Sequence, residues 1–214
     1  MAKYYPINLM LENKKCLVIG AGAVAERKVK RLLECRAKVW VISLKITPGL
    51  NALAKNKKII FKNRKVNLND LNGAYLVIAA TSNRKMNSAV SSYCRRKGIL
   101  INVIDSPGEC NFILPSIIRK GDLSISISTD GISPALAKKI RQDLQQRFGA
   151  EYAKFLRIMK KMRPEALKKI KKLESRKTFF QKALHPEIFA LLKRNKEKQA
   201  RRKLKDILED AAIF

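Results

Sequence analysis

The chain has one histidine, His185, and four cysteines, Cys16, Cys35, Cys94 and Cys110, none of them in a C-x-x-C pair. That scarcity excludes the usual structural zinc centres, which need closely spaced Cys and His ligands. No metal ligands are expected. No apolar run reaches about 18 residues, so no membrane-spanning helix is expected. The first residues lack the charged-then-apolar pattern of a secretory leader. The expected setting is cytoplasmic and reducing, with Cys16 and Cys35 as core filler. Internal repeats and low-complexity linkers are missing as well. Acids are scarce: 17 Asp and Glu stand against 47 Lys and Arg, a formal net charge of +30.

The excess charge is dispersed. The last 64 residues carry 20 basic and 8 acidic side chains, only modestly denser than the rest. A dedicated nucleic-acid tail would concentrate it, and no recognised nucleic-acid motif is present. The charge is either solvated surface or a match to a polyanionic partner. A small molecule with several carboxylates suits it; neither nucleic acid nor membrane is expected as a partner.

A hydrophobic content of 46% is ample for a core. Apolar, β-branched runs recur at Cys16–Ile19, Val39–Ile42, Ile59–Phe61, Tyr75–Ala79 and Ile99–Ile104. Helical patterns at Val24–Glu34, Pro48–Lys55 and Met86–Lys97 lie between several of them. Continuous apolar strands alternating with helices predict a parallel sheet covered on both faces. Phe112–Ile118 and Leu123–Ser128 then read as strands around a Lys120-Gly121-Asp122 turn. Ser133-Pro134 opens a helix from Ala135 to Phe148. From Glu151 the chain is helical and basic, with breaks expected at Pro164 and Pro186 and apolar spacing from Leu156, Met159, Leu167, Ile170 and Leu173. The expected class is α/β, a Rossmann-like parallel sheet over 1–112, a small α+β dimerisation segment over 113–150 and a helical C-terminal domain over 151–214.

The first strand runs into Gly20-Ala21-Gly22-Ala23-Val24-Ala25, a G-x-G-x-x-A turn followed by a helix. Gly20 permits the turn, Gly22 lets backbone approach a pyrophosphate, and Ala25 lets helix and strand pack closely. Free N–H groups of the helix N-terminus then face the phosphates. Dinucleotide binding follows. The acid that often holds the ribose after the second strand is missing, and Ser43-Leu44-Lys45 stands there instead. Ser43 offers a hydroxyl and Lys45 a charge suited to a 2′-phosphate, which leaves NAD against NADP open, with NAD preferred. Thr81, in Ala79-Ala80-Thr81, offers a hydroxyl over the fourth strand, or is part of a plain turn capped by Asn83. Asn102 is placed with the cofactor contacts. Asp105, just beyond the fifth strand, stands where ligands bind in open parallel sheets. Beneath apolar cover beside a nicotinamide, it would act as a proton acceptor; otherwise it is a turn aspartate. Cys110 is a weaker candidate as nucleophile, and His185 reads as a surface or cap residue.

Taken together, Tyr5-Pro6-Ile7-Asn8-Leu9, the run from Cys16 to Lys28, Ala79-Ala80-Thr81, Asn102-Val103-Ile104-Asp105, Phe112–Ile118 and Ser128–Ala137 resemble the precorrin-2 dehydrogenase family, which includes the dehydrogenase–ferrochelatase part of siroheme synthase. The resemblance covers about residues 3–150. It implies NAD-dependent oxidation of precorrin-2 to sirohydrochlorin in siroheme biosynthesis, with ferrous iron insertion in some members. It puts cofactor contacts on Ala23, Val24, Leu44 and Lys45, the catalytic aspartate on Asp105, and a serine that some members phosphorylate on Thr129. It further implies a homodimer built partly from exchanged strands and helix. A nucleotide-sensing regulatory module is the competing reading; it gives no role to Asp105.

Overall fold

A computed structural model describes residues 4–213. It falls into two units, the first ending at Leu114 and the second starting at Pro115.

In the first unit the order is β1 (Lys15–Ile19), α1 (Ala23–Glu34), β2 (Lys38–Ile42), α2 (Pro48–Lys55), β3 (Ile60–Lys62), β4 (Leu76–Ala79), α3 (Arg84–Arg96) and β5 (Leu100–Val103). The strands form one parallel sheet in the order β3-β2-β1-β4-β5. The order reverses between β1 and β4, the place where open sheets of this kind form their ligand crevice. Each central strand is apolar on both faces. Cys16 and Val18 of β1 join Val39, Val41, Leu76 and Ile78 under Ala25, Val29 and Leu50. Leu17 and Ile19 join Val77, Ala79, Ile101 and Val103 under Val90 and Cys94 of α3. Each such buried aliphatic side chain contributes about 1.5–3 kcal/mol. Burial pushes the Cys16 thiol up to about 11, with Cys35 adding to the effect, so it serves as an apolar group. The helix starts are local chemistry: Thr47 caps α2 ahead of Pro48, and Asn83 caps α3 by accepting from Met86 N at 3.0 Å.

The second unit holds an antiparallel hairpin of β6 (Ser116–Lys120) and β7 (Leu123–Ile127), then α4 (Pro134–Arg147), α5 (Ala150–Lys169), α6 (Leu173–Lys182), α7 (Pro186–Lys193) and α8 (Glu197–Ile213). Ser133 caps α4 by accepting from Leu136 N at 3.2 Å, with Pro134 in the first turn, as the sequence predicts. Three expectations need correction. Phe112–Pro115 is not strand: the Asn102 side chain takes Phe112 O, the preceding Asn111 side chain is bonded to Ile99 O and Ile101 N beside β5, and β6 begins only at Ser116. Pro164 does not break the helix: α5 runs through it to Lys169. Its buried stripe is Phe155, Ile158, Met162 and Ala166, continued by Ile170, and packing along that stripe outweighs the one backbone hydrogen bond a proline removes. Leu167 and Leu173, expected in the stripe, are 44% and 59% exposed. Pro186 does mark a boundary, at the first turn of α7, where the His185 ring nitrogen accepts from Glu187 N. Among the described residues no helix is long and apolar enough to cross a membrane.

Candidate cofactor site and active site

The site is built on the carboxyl ends of the strands. Gly20 leaves β1 with φ +96°, a conformation that L side chains rarely adopt. A Cβ there would stand 2.4 Å from the Ala80 carbonyl oxygen and 3.4 Å from the Thr81 methyl. Gly20 is therefore required by the chain itself, where β1 and β4 come together. Gly22 is different. Its φ is −82°, and a Cβ on it would meet no atom within 4 Å. Nothing in the chain demands a glycine at 22; its bareness leaves an approach open. Gly22 is also the N-cap of α1, and no side chain caps that helix. Ala23 and Val24 follow with N–H groups directed out of the first turn, while Ala25 is buried against the sheet. The positive end of α1 is thus presented to whatever enters over Gly22.

After β2, Ser43 N donates to Lys62 O at 3.3 Å, and the Ser43 hydroxyl accepts from Lys45 N at 3.4 Å. Leu44 is 60% exposed and Lys45 is exposed. The Thr81 hydroxyl is committed inward: it donates to Asn87 Oδ1 at 2.7 Å and accepts from Asn83 N at 3.2 Å. Asn87, a buried polar side chain of α3, returns a bond to Thr81 O at 3.0 Å. The Asn102 amide is likewise occupied, donating to Phe112 O at 3.2 Å.

Asp105 follows β5 in the left-handed region, φ +58°, which aspartate tolerates better than most residues. It is exposed, so the apolar cover expected from the sequence is not supplied by its neighbours in the chain. The loop behind it is held tightly. Ser91 Oγ donates to Glu109 O at 2.6 Å, and Arg95 donates to Gly108 O at 2.6 Å and Cys110 O at 2.9 Å. Ser88 adds a bond to the Glu109 carboxylate. Cys110 is buried; its sulfur accepts from Val103 N at 3.2 Å and donates to Val103 O and Ser106 O. Burial raises its pKa, so this thiol is a structural pin rather than a nucleophile. His185 is exposed and serves as the N-cap of α7.

Sequence reasoning did not find Asn87, Ser91 and Arg95. A signal existed: Asn87 and Ser91 fall at helical spacing with Val90 and Cys94, so two polar residues share the buried face of α3. The link between Glu26 and Thr47, 2.6 Å from carboxylate to hydroxyl, had no such signal.

Residues 7–116 match the family model described as putative NAD(P)-binding. Residues 120–147 match the model described as sirohaem biosynthesis protein central, and 151–208 that described as sirohaem synthase dimerisation region. The last lies C-terminal to the segment expected above to form a dimer. The chain is 35% identical over 178 residues to the siroheme synthase of Vesicomyosocius okutanii, covering 83% of this chain and 38% of that protein. It is 33% identical over 206 residues to the siroheme synthase of Thioalkalivibrio sulfidiphilus, covering 96% and 42%. The chain therefore spans less than half the length of these curated relatives. A solved structure titled SirC, precorrin-2 dehydrogenase, superposes with a TM-score of 0.78 at 23% identity, over 95% of this chain and all of that one, which shows a common fold. With the glycine turn and open helix end inside the first matched segment, the chain belongs to the family described as putative NAD(P)-binding, and it carries sirohaem central and dimerisation segments after that domain.

Proposed function

We propose that the chain is an NAD-dependent precorrin-2 dehydrogenase that forms sirohydrochlorin in siroheme biosynthesis. The observation that carries this is the pairing of an uncapped, sterically open helix end at Gly22 with an exposed carboxylate, Asp105, beyond another strand of the same sheet. The relatives' names support the substrate.

The residues fit a dinucleotide. Gly20 and Gly22 with the N–H groups of Ala23 and Val24 would hold the pyrophosphate. Ser43, Leu44 and Lys45 would receive the adenosine end, Leu44 giving apolar contact. Thr81 contributes through its backbone and methyl, since its hydroxyl is engaged, and Asn102 by fixing the 110–112 stretch beside β5. When bound, the nicotinamide accepts a hydride. The substrate must then lose a proton, and Asp105 is the carboxylate in place to take it. Its exposure leaves it open to a substrate arriving at the sheet edge. The chain's net charge of +30 attracts a multiply carboxylated tetrapyrrole. Insertion of ferrous iron, taken as a substrate, would displace pyrrole protons that the same carboxylate can accept. A homodimer is proposed as the working form, supported by the match to a dimerisation region.

The test is NAD reduction followed by absorbance on adding precorrin-2, then ferrous iron with the product. NAD binding without turnover would instead favour a sensor module.

A further inference from the structure

We propose that Thr47 and Glu26 form a clamp that sets the spacing between the pyrophosphate turn and the ribose loop, making both positioning residues for the dinucleotide. The proposal rests on the cofactor reading above.

Thr47 lies two residues beyond Lys45, where the Ser43–Lys45 loop runs into α2, and it is bonded to the glycine turn. Its backbone N–H donates to Ala21 O, inside the glycine turn, at 3.2 Å. Its hydroxyl donates to Glu26 Oε2 on the first turn of α1 at 2.6 Å. The same hydroxyl oxygen accepts from Leu50 N at 3.3 Å and so starts α2. One residue thereby fastens the turn, α1 and α2 together: its backbone N–H holds the turn, and its hydroxyl joins the two helices.

Glu26 is shaped for this. Its other oxygen accepts from Lys30 Nζ at 2.6 Å, and its side chain is only 19% exposed. The carboxylate lies against the N-terminus of α2: a Cβ on Gly49 would stand within 2.8 Å of three atoms of the carboxyl group. Gly49 is not at positive φ, and a side chain there would meet only the Glu26 carboxylate and push it off the end of α2. A carboxylate at a helix N-terminus is favourable, and the bonds from Lys30 and Thr47 hold its pKa below the ordinary glutamate value. The anion therefore persists at neutral pH and keeps the Thr47 hydroxyl oriented as donor.

A clamp between two subsites has a particular signature. It matters to a ligand that spans both and not to one that occupies a single subsite. The experiment compares NAD, by titration calorimetry, with adenosine, by chemical-shift titration, on the full chain. Thr47→Val keeps shape and removes the hydroxyl. The expected result is NAD affinity reduced about tenfold, with adenosine unchanged and Thr47→Ser restoring NAD. Glu26→Gln should weaken NAD in the same direction and serves if Thr47→Val does not fold. Unchanged NAD affinity in both variants would overturn the clamp. So would equal weakening of NAD and adenosine, which marks general disorder. If the wild-type chain bound no NAD, the cofactor reading would fail before the clamp was reached.

Discussion

The Cβ position of Gly20 lies 2.4 Å from the carbonyl oxygen of Ala80, so the end of β1 and the end of β4 meet backbone to backbone. Gly22, two residues on, faces open space. The two glycines should respond oppositely to substitution. Gly20→Ala combines positive φ with a clash against main chain and should destabilise by about 3 kcal/mol or more in urea denaturation. Gly22→Val should leave stability within about 1 kcal/mol of wild type and abolish measurable NAD binding in calorimetry. A Gly22→Val protein that binds NAD normally would remove the pyrophosphate assignment.

Asp105→Asn separates chemistry from binding. The amide keeps size and tolerance of left-handed backbone but cannot take a proton. Dehydrogenation kcat should fall by about 100-fold or more with NAD affinity unchanged. Iron insertion, if present, should fall with it. Arg95→Met acts through the loop: losing two bonds to Gly108 O and Cys110 O should lower kcat by about tenfold at constant NAD affinity.

Asp70 gives a pH prediction. The Arg64 guanidinium beside it and the Asn67 N–H lower its pKa to about 2, with Lys62 farther off. A carboxyl group whose folded pKa lies below its unfolded value contributes stability at higher pH, and that contribution fades as pH falls from the ordinary aspartate range toward about 2. Asp70→Asn should thus cost about 1 kcal/mol at neutral pH, since Arg64 is partly exposed, and the difference from wild type should vanish near pH 2. Thermal unfolding of both proteins across pH 2–7 reads this directly. A gap that is flat with pH would assign Asp70 to capping alone.

Charge matching predicts a salt effect. The substrate KM should rise with ionic strength more steeply than the NAD Kd, because charges are screened over about 8 Å at physiological salt. A KM unmoved from low to high salt would leave the basic surface without a part in substrate capture.

What was legible in the sequence was what obeys local rules. Gly20, the Ser133-Pro134 start and the apolar runs of β1, β2 and β4 are dictated by backbone geometry and burial, and these leave periodic traces. Contacts between segments far apart leave none. Thr81 reads as a free hydroxyl until Asn87 is seen beneath it, and Asn102 as a ligand contact until Phe112 O is seen across it. Pro164 misled because a proline is a local signal, and it was overruled by a buried stripe that only the packed bundle defines. Asp105 is singled out in the sequence by its place at a strand end, but its exposure depends on the path of Ser106–Cys110, set by α3.

On the proposed cofactor reading, the bare end of α1 also couples the persistence of the folded chain to its ligand. A ligand that binds only the folded form adds about 2.7 kcal/mol of stability at a hundredfold excess over its Kd. Without it, the population of opened molecules offered to proteases rises by about 100-fold. Cellular levels of this protein should follow the nicotinamide nucleotide pool even at constant synthesis.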